Sequence, residues 1–263
     1  MILWYSYDIG YINSKIWAVK WLVKFNAKKT QLMTISRKSN RDAGKISFLG
    51  ETLKEEDSIK LLGVHITKTL DWNFHVNKIA KRAGQHLGIV RKANKLLPSD
   101  VLATLYKTRV RSVMEYCGPI WENASKTVLS KLDTIQRKAC RVIGHDNDVC
   151  SKVNITSLEH RRRVSGLSQL HRMISGTAPD GVVQLLPSFQ EPSRVSRHVL
   201  QNHHLQLVIK RSKTEHHRKS FLPRICNLWN SLPKSCIYGS TGDTIALQPF
   251  KVCINKWMLS STN

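Results

Sequence analysis

Apolar residues recur at helical spacing over residues 11–25. Ile12, Ile16, Val19, Leu22 and Val23 fall on one side, with Lys15, Lys20 and Lys24 opposite. Trp17 and Trp21 lie one turn apart and are expected to pack into a core. Residues 31–36 alternate polar and apolar and read as a strand, with a second short strand at residues 46–49. Gly50, Glu51 and Thr52 read as a turn, and residues 59–67 as a further strand. Asp71 is placed to cap a helix whose inner face is Val76, Ile79, Ala80, Ala83, Leu87 and Val90. Gly84 and Gly88 sit inside it. Each costs ~1 kcal/mol against alanine, which predicts close packing by another helix as compensation.

A second helix starts at Ser99 and carries Leu102, Leu105, Tyr106, Val110, Val113, Met114 and Cys117 on its apolar side, until Gly118-Pro119 ends it. A third, over residues 125–143, turns Leu129, Leu132, Ile135, Ala139, Val142 and Ile143 inward. Asp133 and Arg137 are spaced to pair across one turn, and Gly144 to cap the end. Three amphipathic helices on short connections predict a bundle. Residues 158–175 read as a fourth helix and residues 176–192 as a connector. The remainder reads as a loosely packed appendage, with a strand-like run at 205–209 and helices at 221–232 and 249–259.

Charge changes this picture. The chain has 263 residues and a formal net charge of +24. An excess of that size points to a polyanion, most simply nucleic acid. Residues 71–144 hold 14 basic and 5 acidic residues, the densest block, against 8 and 2 in residues 1–44, 4 and 4 in 45–70, and 16 and 7 in 145–263. The helical block is therefore the expected track for a phosphate backbone. Its candidate contacts are Lys78, Lys81, Arg82, Arg91, Lys92, Lys107, Arg111, Arg137 and Lys138. Such contacts would weaken binding alike on every sequence, because phosphates carry no sequence information.

Other chemistry is thinly represented. The six cysteines match no zinc spacing, and the pairs His203-His204 and His216-His217 would point to opposite faces of a strand. No metal site is expected. No apolar run approaches the ~20 residues of a membrane span, and the first 15 residues lack the basic start of a secretory signal. Reduced thiols in the nucleus or cytoplasm, and no membrane partner, are the expectation.

The order of several short motifs resembles the C-terminal part of a reverse transcriptase from a non-LTR retrotransposon of the LINE type, most like the jockey group. Trp21, Phe25-Asn26 and Lys29-Thr30 look like motif D of the palm. Leu61-Leu62-Gly63-Val64 looks like motif E, the primer grip. Trp72, His75, Ala80, Gly84, Leu87-Gly88, Leu105-Tyr106, Val110-Arg111, Glu115-Tyr116 and Pro119-Ile120-Trp121 resemble the thumb. Leu132-Asp133, Ile135-Gln136-Arg137 and Ala139 continue it. Leu158-Glu159, Arg161-Arg162-Arg163, Ser220-Phe221, Pro223-Arg224 and Trp229-Asn230-Ser231-Leu232-Pro233 resemble the C-terminal extension. The resemblance implies an α+β chain: a small antiparallel palm remnant over residues 1–70, a helical thumb bundle over 71–144, and a mixed, mostly helical C-terminal extension over 145–263.

It also implies an RNA-directed DNA polymerase that uses two Mg²⁺ ions. Their carboxylates come from motif A and from a Tyr-x-Asp-Asp turn, and neither is present. Tyr5-Ser6-Tyr7-Asp8 is the nearest approach, with Ile9 in place of the second aspartate. The expectation is a chain that binds an RNA or DNA duplex, holds no cofactor and does not polymerise alone. Lys29 would occupy the position that protonates the departing pyrophosphate. Gly63 would permit tight strand geometry in the grip. A stand-alone nucleic-acid-binding module and an inert relic of such an element remain open beside this reading.

Overall fold

The computed structural model describes residues 16–36, 45–144, 155–190, 203–239 and 242–260. The chain forms two compact units, residues 1–71 and 72–263.

In the first unit residues 16–20 are helical, and the chain then leaves the helix at Leu22, whose φ is 54°. The expected helix over 11–25 therefore ends early, and its first residues lie outside the described ones. Trp17 and Trp21 are 50% and 60% exposed, not core residues. Trp17 stands about 100° round the helix from the buried Ala18, and Trp21 lies past its last helical residue. A short 3-10 turn, Ala27–Lys29, follows, closed by Thr30, whose hydroxyl donates to the Asn26 carbonyl at 3.0 Å. The strand expected at 31–36 is reduced to one parallel bridge between Leu32 and Glu55.

Two small antiparallel hairpins complete the unit. Strands β1 (Ser47–Phe48) and β2 (Glu51–Thr52) are joined by Leu49-Gly50; β3 (Ser58–Leu61) and β4 (Val64–Thr67) are joined by Leu62-Gly63. Both loops have positive φ at both residues: 53° and 81° in the first, 46° and 89° in the second. This is the two-residue turn whose twist matches that of the flanking strands. The supposed single strand over 59–67 is therefore a hairpin, and Glu51-Thr52 is strand rather than turn. The usual Asn-Gly signal was hidden because leucine fills the first loop position. Phe48 is buried, with the Phe25 ring edge-on at 5.9 Å.

A leucine in the left-handed region costs roughly 1–2 kcal/mol. Leu62→Asn is expected to stabilise the first unit by about 1 kcal/mol, read as a higher denaturation midpoint. An unchanged or lower midpoint would show that the turn is not strained.

The second unit is helical. Helix α1 (Asn73–Ala93) buries Val76, Ala83, Leu87 and Val90. It is entered from Trp72, whose backbone is already helical and whose side chain gives no cap. The next helix is continuous but not uniform. Helix α2 (Ser99–Leu105) runs into a π-helical turn, Tyr106–Arg111, and out into α3 (Ser112–Glu115). A π turn loosens the backbone ladder. Here the Thr108 hydroxyl donates to the Thr104 carbonyl at 2.9 Å, and His86 Nδ1 on α1 donates to the Arg109 carbonyl at 2.7 Å. Cys117, at φ 54°, breaks the run, and Gly118-Pro119 opens α4 (Gly118–Trp121) instead of closing the previous helix.

Helix α5 (Lys126–Ile143) is capped by Ser125, whose hydroxyl accepts from the Val128 amide. Arg137 donates to Thr134 at 3.0 Å and does not pair with Asp133. Val76, Leu87, Leu102, Tyr106, Met114, Trp121, Leu132 and Ile143 make one hydrophobic cluster, completed by Leu158.

Leu158 opens α6 (Leu158–Ile174), capped by Ser157. The C-terminal half of α6 enters a second cluster with α7 (Asp180–Val183), α9 (Phe221–Asn230) and α10 (Leu247–Ser260); α8 (Glu215–Arg218) is a single turn ahead of α9. Trp229, Phe250, Leu207, Leu232 and Ile254 are all essentially buried there, so this region is a packed core and not a loose appendage. Sequence spacing hid this, because Leu207, Leu232, Cys236 and Ile237 reach the cluster from short runs between the helices. The strand-like run over 205–209 is one antiparallel bridge, Phe189 to Leu207. Gly166 permits the crossing of α6 and α9, since a Cβ there would lie 2.8 Å from Ile225 Cδ1.

Candidate nucleic-acid interface

The period of α1 puts its apolar residues on one side and its cations on the other. Lys78, Lys81, Arg82, Arg91 and Lys92 are all exposed. They lie in two strips. Asn77, Lys81, Gly84, Gly88 and Arg91 follow one another along the edge nearest α5. Lys78, Arg82 and Lys92 lie further round, with Lys78 Nζ 5.2 Å from the Phe74 ring centroid.

Two hydrogen bonds fix how α5 lies beside this edge. The Ser125 amide donates to Asn73 Oδ1 at 2.9 Å, and Lys131 Nζ donates to Asn77 Oδ1 at 2.7 Å. Both partners advance together, so the two helices run parallel. Continuing seven residues along each, at the common rise of ~1.5 Å per residue, brings Lys138 level with Gly84. This register sets Lys81 and Arg91 along one side, and Lys131 and Lys138 along the other, of the groove between the two helices.

The glycines line this groove. A Cβ built on Gly84 or Gly88 meets nothing within 4 Å. The expected compensation by close helix packing is thus overturned: both glycines face open space, and their helix cost is offset by no packed neighbour.

The structure does not gather every predicted contact here. Arg137 lies on the outer face of α5, bonded to Thr134. Lys107 is half-buried on the π turn. Arg111 is drawn into an ion-pair cluster: its Nε is 3.7 Å from Glu115 Oε1, and Arg161 engages the same carboxylate through two of its nitrogens. Burial first, then repulsion from Arg161, lowers the Arg111 pKa. Lys131 was missed by sequence reading; its seven-residue offset from Lys138 was the available signal.

In the first unit, Lys29 is exposed at the end of the 3-10 turn, beside Lys28. Leu61 is half-buried and Val64 buried, while Leu62 is 83% exposed at the hairpin tip. Gly63 serves the turn and not a strand. Asp8 and its neighbours lie outside the described residues. Among the described residues, no three His, Cys, Asp or Glu side chains gather to hold a metal ion. His171 and His203 are core residues. His171 Nε2 donates to the Ile245 carbonyl and His203 Nε2 to the Trp229 carbonyl, both at 2.9 Å, and burial lowers both pKa values. Burial likewise pushes the Cys226 and Cys236 thiols up to about 11 and about 12, so they stay protonated. No described helix is long and apolar enough to cross a membrane.

No family model matches the chain, and no solved structure matches it. Among curated proteins, the RNA-directed DNA polymerase from mobile element jockey of Drosophila funebris is 30% identical over 135 residues, 48% of this chain and 14% of that protein. The chain is therefore similar to a retrotransposon reverse transcriptase, of which it matches only a small part.

Proposed function

We propose that the chain is the C-terminal part of a mobile-element RNA-directed DNA polymerase: the end of a palm with motifs D and E, a thumb, and a C-terminal extension. Its α1–α5 groove grips a nucleic-acid duplex by the phosphates. The groove carries this reading, because four cations flank a floor where two glycines leave room for a backbone to approach. The similarity to the jockey polymerase supports it independently. The 263 residues contain no Asp-Asp pair. We therefore assign grip and not polymerisation to this chain alone, with Lys29 a phosphate contact and no acid catalyst here.

A salt titration tests the grip. Phosphate contacts by Lys81, Arg91, Lys131 and Lys138 predict a slope of about −3.6 in log affinity against log salt, roughly a 150-fold loss between 50 and 200 mM. Absence of duplex binding at low salt would sink the proposal. In a parallel assay, a primed RNA template with Mg²⁺ and dNTPs should show no extension by the chain. Robust extension would refute the assignment of grip without catalysis.

A further inference from the structure

A second basic feature of the second unit is a half-open cavity. Glu115 on α3, Gly118 on α4, the Arg161–Arg172 stretch of α6 and Lys251 and Asn255 of α10 line a cavity of about 470 Å³. Helical spacing explains its wall: Arg161, Ser165, Ser168 and Arg172 follow one face of α6. Lys251 and Asn255 stand one turn apart on α10. The lining holds four cations and one carboxylate, and that carboxylate is already shared between Arg161 and Arg111.

Arg162 sharpens the point. Its side chain lines the cavity and is only 6% exposed, yet Nε and Nη1 have no hydrogen-bond partner. The nearby Glu122 feels its charge and bonds Arg224 through Oε1 at 2.9 Å, while Glu122 Oε2 is likewise buried without a partner. A buried guanidinium with idle donors is costly unless an acceptor arrives. A polar cavity with surplus positive charge describes an anion site.

We propose that this cavity binds a phosphate group on a ligand of up to mononucleotide size. Guanidinium forks match phosphate oxygens in two-bond geometry, and several unneutralised cations favour a dianion over a carboxylate. The volume falls within the ~300–1,000 Å³ typical of small-molecule sites, more than a bare phosphate needs. Arg161, Arg172, which is exposed, and Lys251, half-buried, flank the bound charge, and Arg162 adds its own positive charge from the wall. The phosphate could be carried by a free nucleotide or stand at the end of a strand; both present the same chemistry.

The test is calorimetric titration of the full chain at fixed ionic strength with adenosine, adenosine monophosphate and inorganic phosphate. A short single strand with and without a 5′-phosphate forms the second arm. The expected result is saturable one-site binding of the monophosphate, or of the 5′-phosphorylated strand alone, with adenosine and the unphosphorylated strand at least tenfold weaker. The double variant Arg172→Gln/Lys251→Gln, whose side chains lie outside both hydrophobic clusters, should lose at least tenfold in phosphate affinity with an unchanged melting temperature. Equal binding of phosphorylated and unphosphorylated probes, no saturable binding, or full affinity in the double variant would overturn the proposal. Duplex affinity of the same variant, set by the α1–α5 groove, is read separately, so failure of one site does not count as failure of the other.

Discussion

Lys81→Glu combined with Lys138→Glu is expected to lower duplex affinity on the order of 100-fold at moderate salt, because each reversal removes one attraction and adds a repulsion. The salt slope should halve, to about −1.8, as two of four phosphate contacts vanish. Both side chains are exposed and outside the core, so the melting temperature should hardly move. Arg137→Glu is the discriminating control. It changes the charge by as much as either lysine reversal alone but sits on the outer face of α5, and its effect should stay severalfold smaller than that of either single lysine variant. If all three reversals weaken binding alike, diffuse charge and not the groove is responsible.

The groove floor offers a second readout. Gly84→Ala and Gly88→Ala meet no atom in the free chain, so each should stabilise α1 by about 1 kcal/mol. The same methyl groups would stand where a phosphate backbone is proposed to lie. A variant that melts higher yet binds duplex more weakly is the expected signature. Higher stability with unchanged affinity would move the nucleic acid off this face.

The largest stability effect is expected at Trp229. Its indole is about 1% exposed, donates through Nε1 to the Leu205 carbonyl at 2.8 Å, and packs near His171, His203 and Phe250 with ring centroids 5.7–6.4 Å away. Trp229→Ala removes the centre of the second cluster and should cost about 3–5 kcal/mol, a large share of a typical domain's 5–15 kcal/mol. Chemical denaturation of the full chain measures it. Trp229→Phe keeps a ring but orphans the Leu205 carbonyl, so its cost should be smaller, about 1–3 kcal/mol. A loss under ~1 kcal/mol in the alanine variant would mean that the cluster is loosely packed after all.

Long periodic segments were legible from the residues alone. Val76-Ala83-Leu87-Val90 announced α1, Leu132-Ala139-Ile143 announced α5, and α6, α9 and α10 fall within a few residues of their expected bounds. Shorter features were hidden where one residue contradicted its role. Leucine in a left-handed turn masked both hairpins, and Cys117, not Gly118-Pro119, broke the second helix. Trp17 and Trp21 misled because one-turn spacing does not say which side of a helix is buried. The groove was half legible. The cations of α1 could be named, but their pairing with Lys131 and Lys138 rests on two asparagine contacts between helices more than 50 residues apart. The cavity around Arg162 was invisible, since nothing in the run Arg161-Arg162-Arg163 marks its middle residue as buried.

Helix α6 contributes Leu158 to one cluster and Leu167, Leu170 and Met173 to the other. A gene shortened to stop at Gly144 would therefore strip the upstream helices of their last plug, and Gln136 of the Thr156 carbonyl to which its amide donates at 3.1 Å. Tyr106, whose hydroxyl donates to the same Gln136, would lose its fixed companion. Evolution cannot trade these two halves as interchangeable cassettes, because a single rod is mortared into both walls.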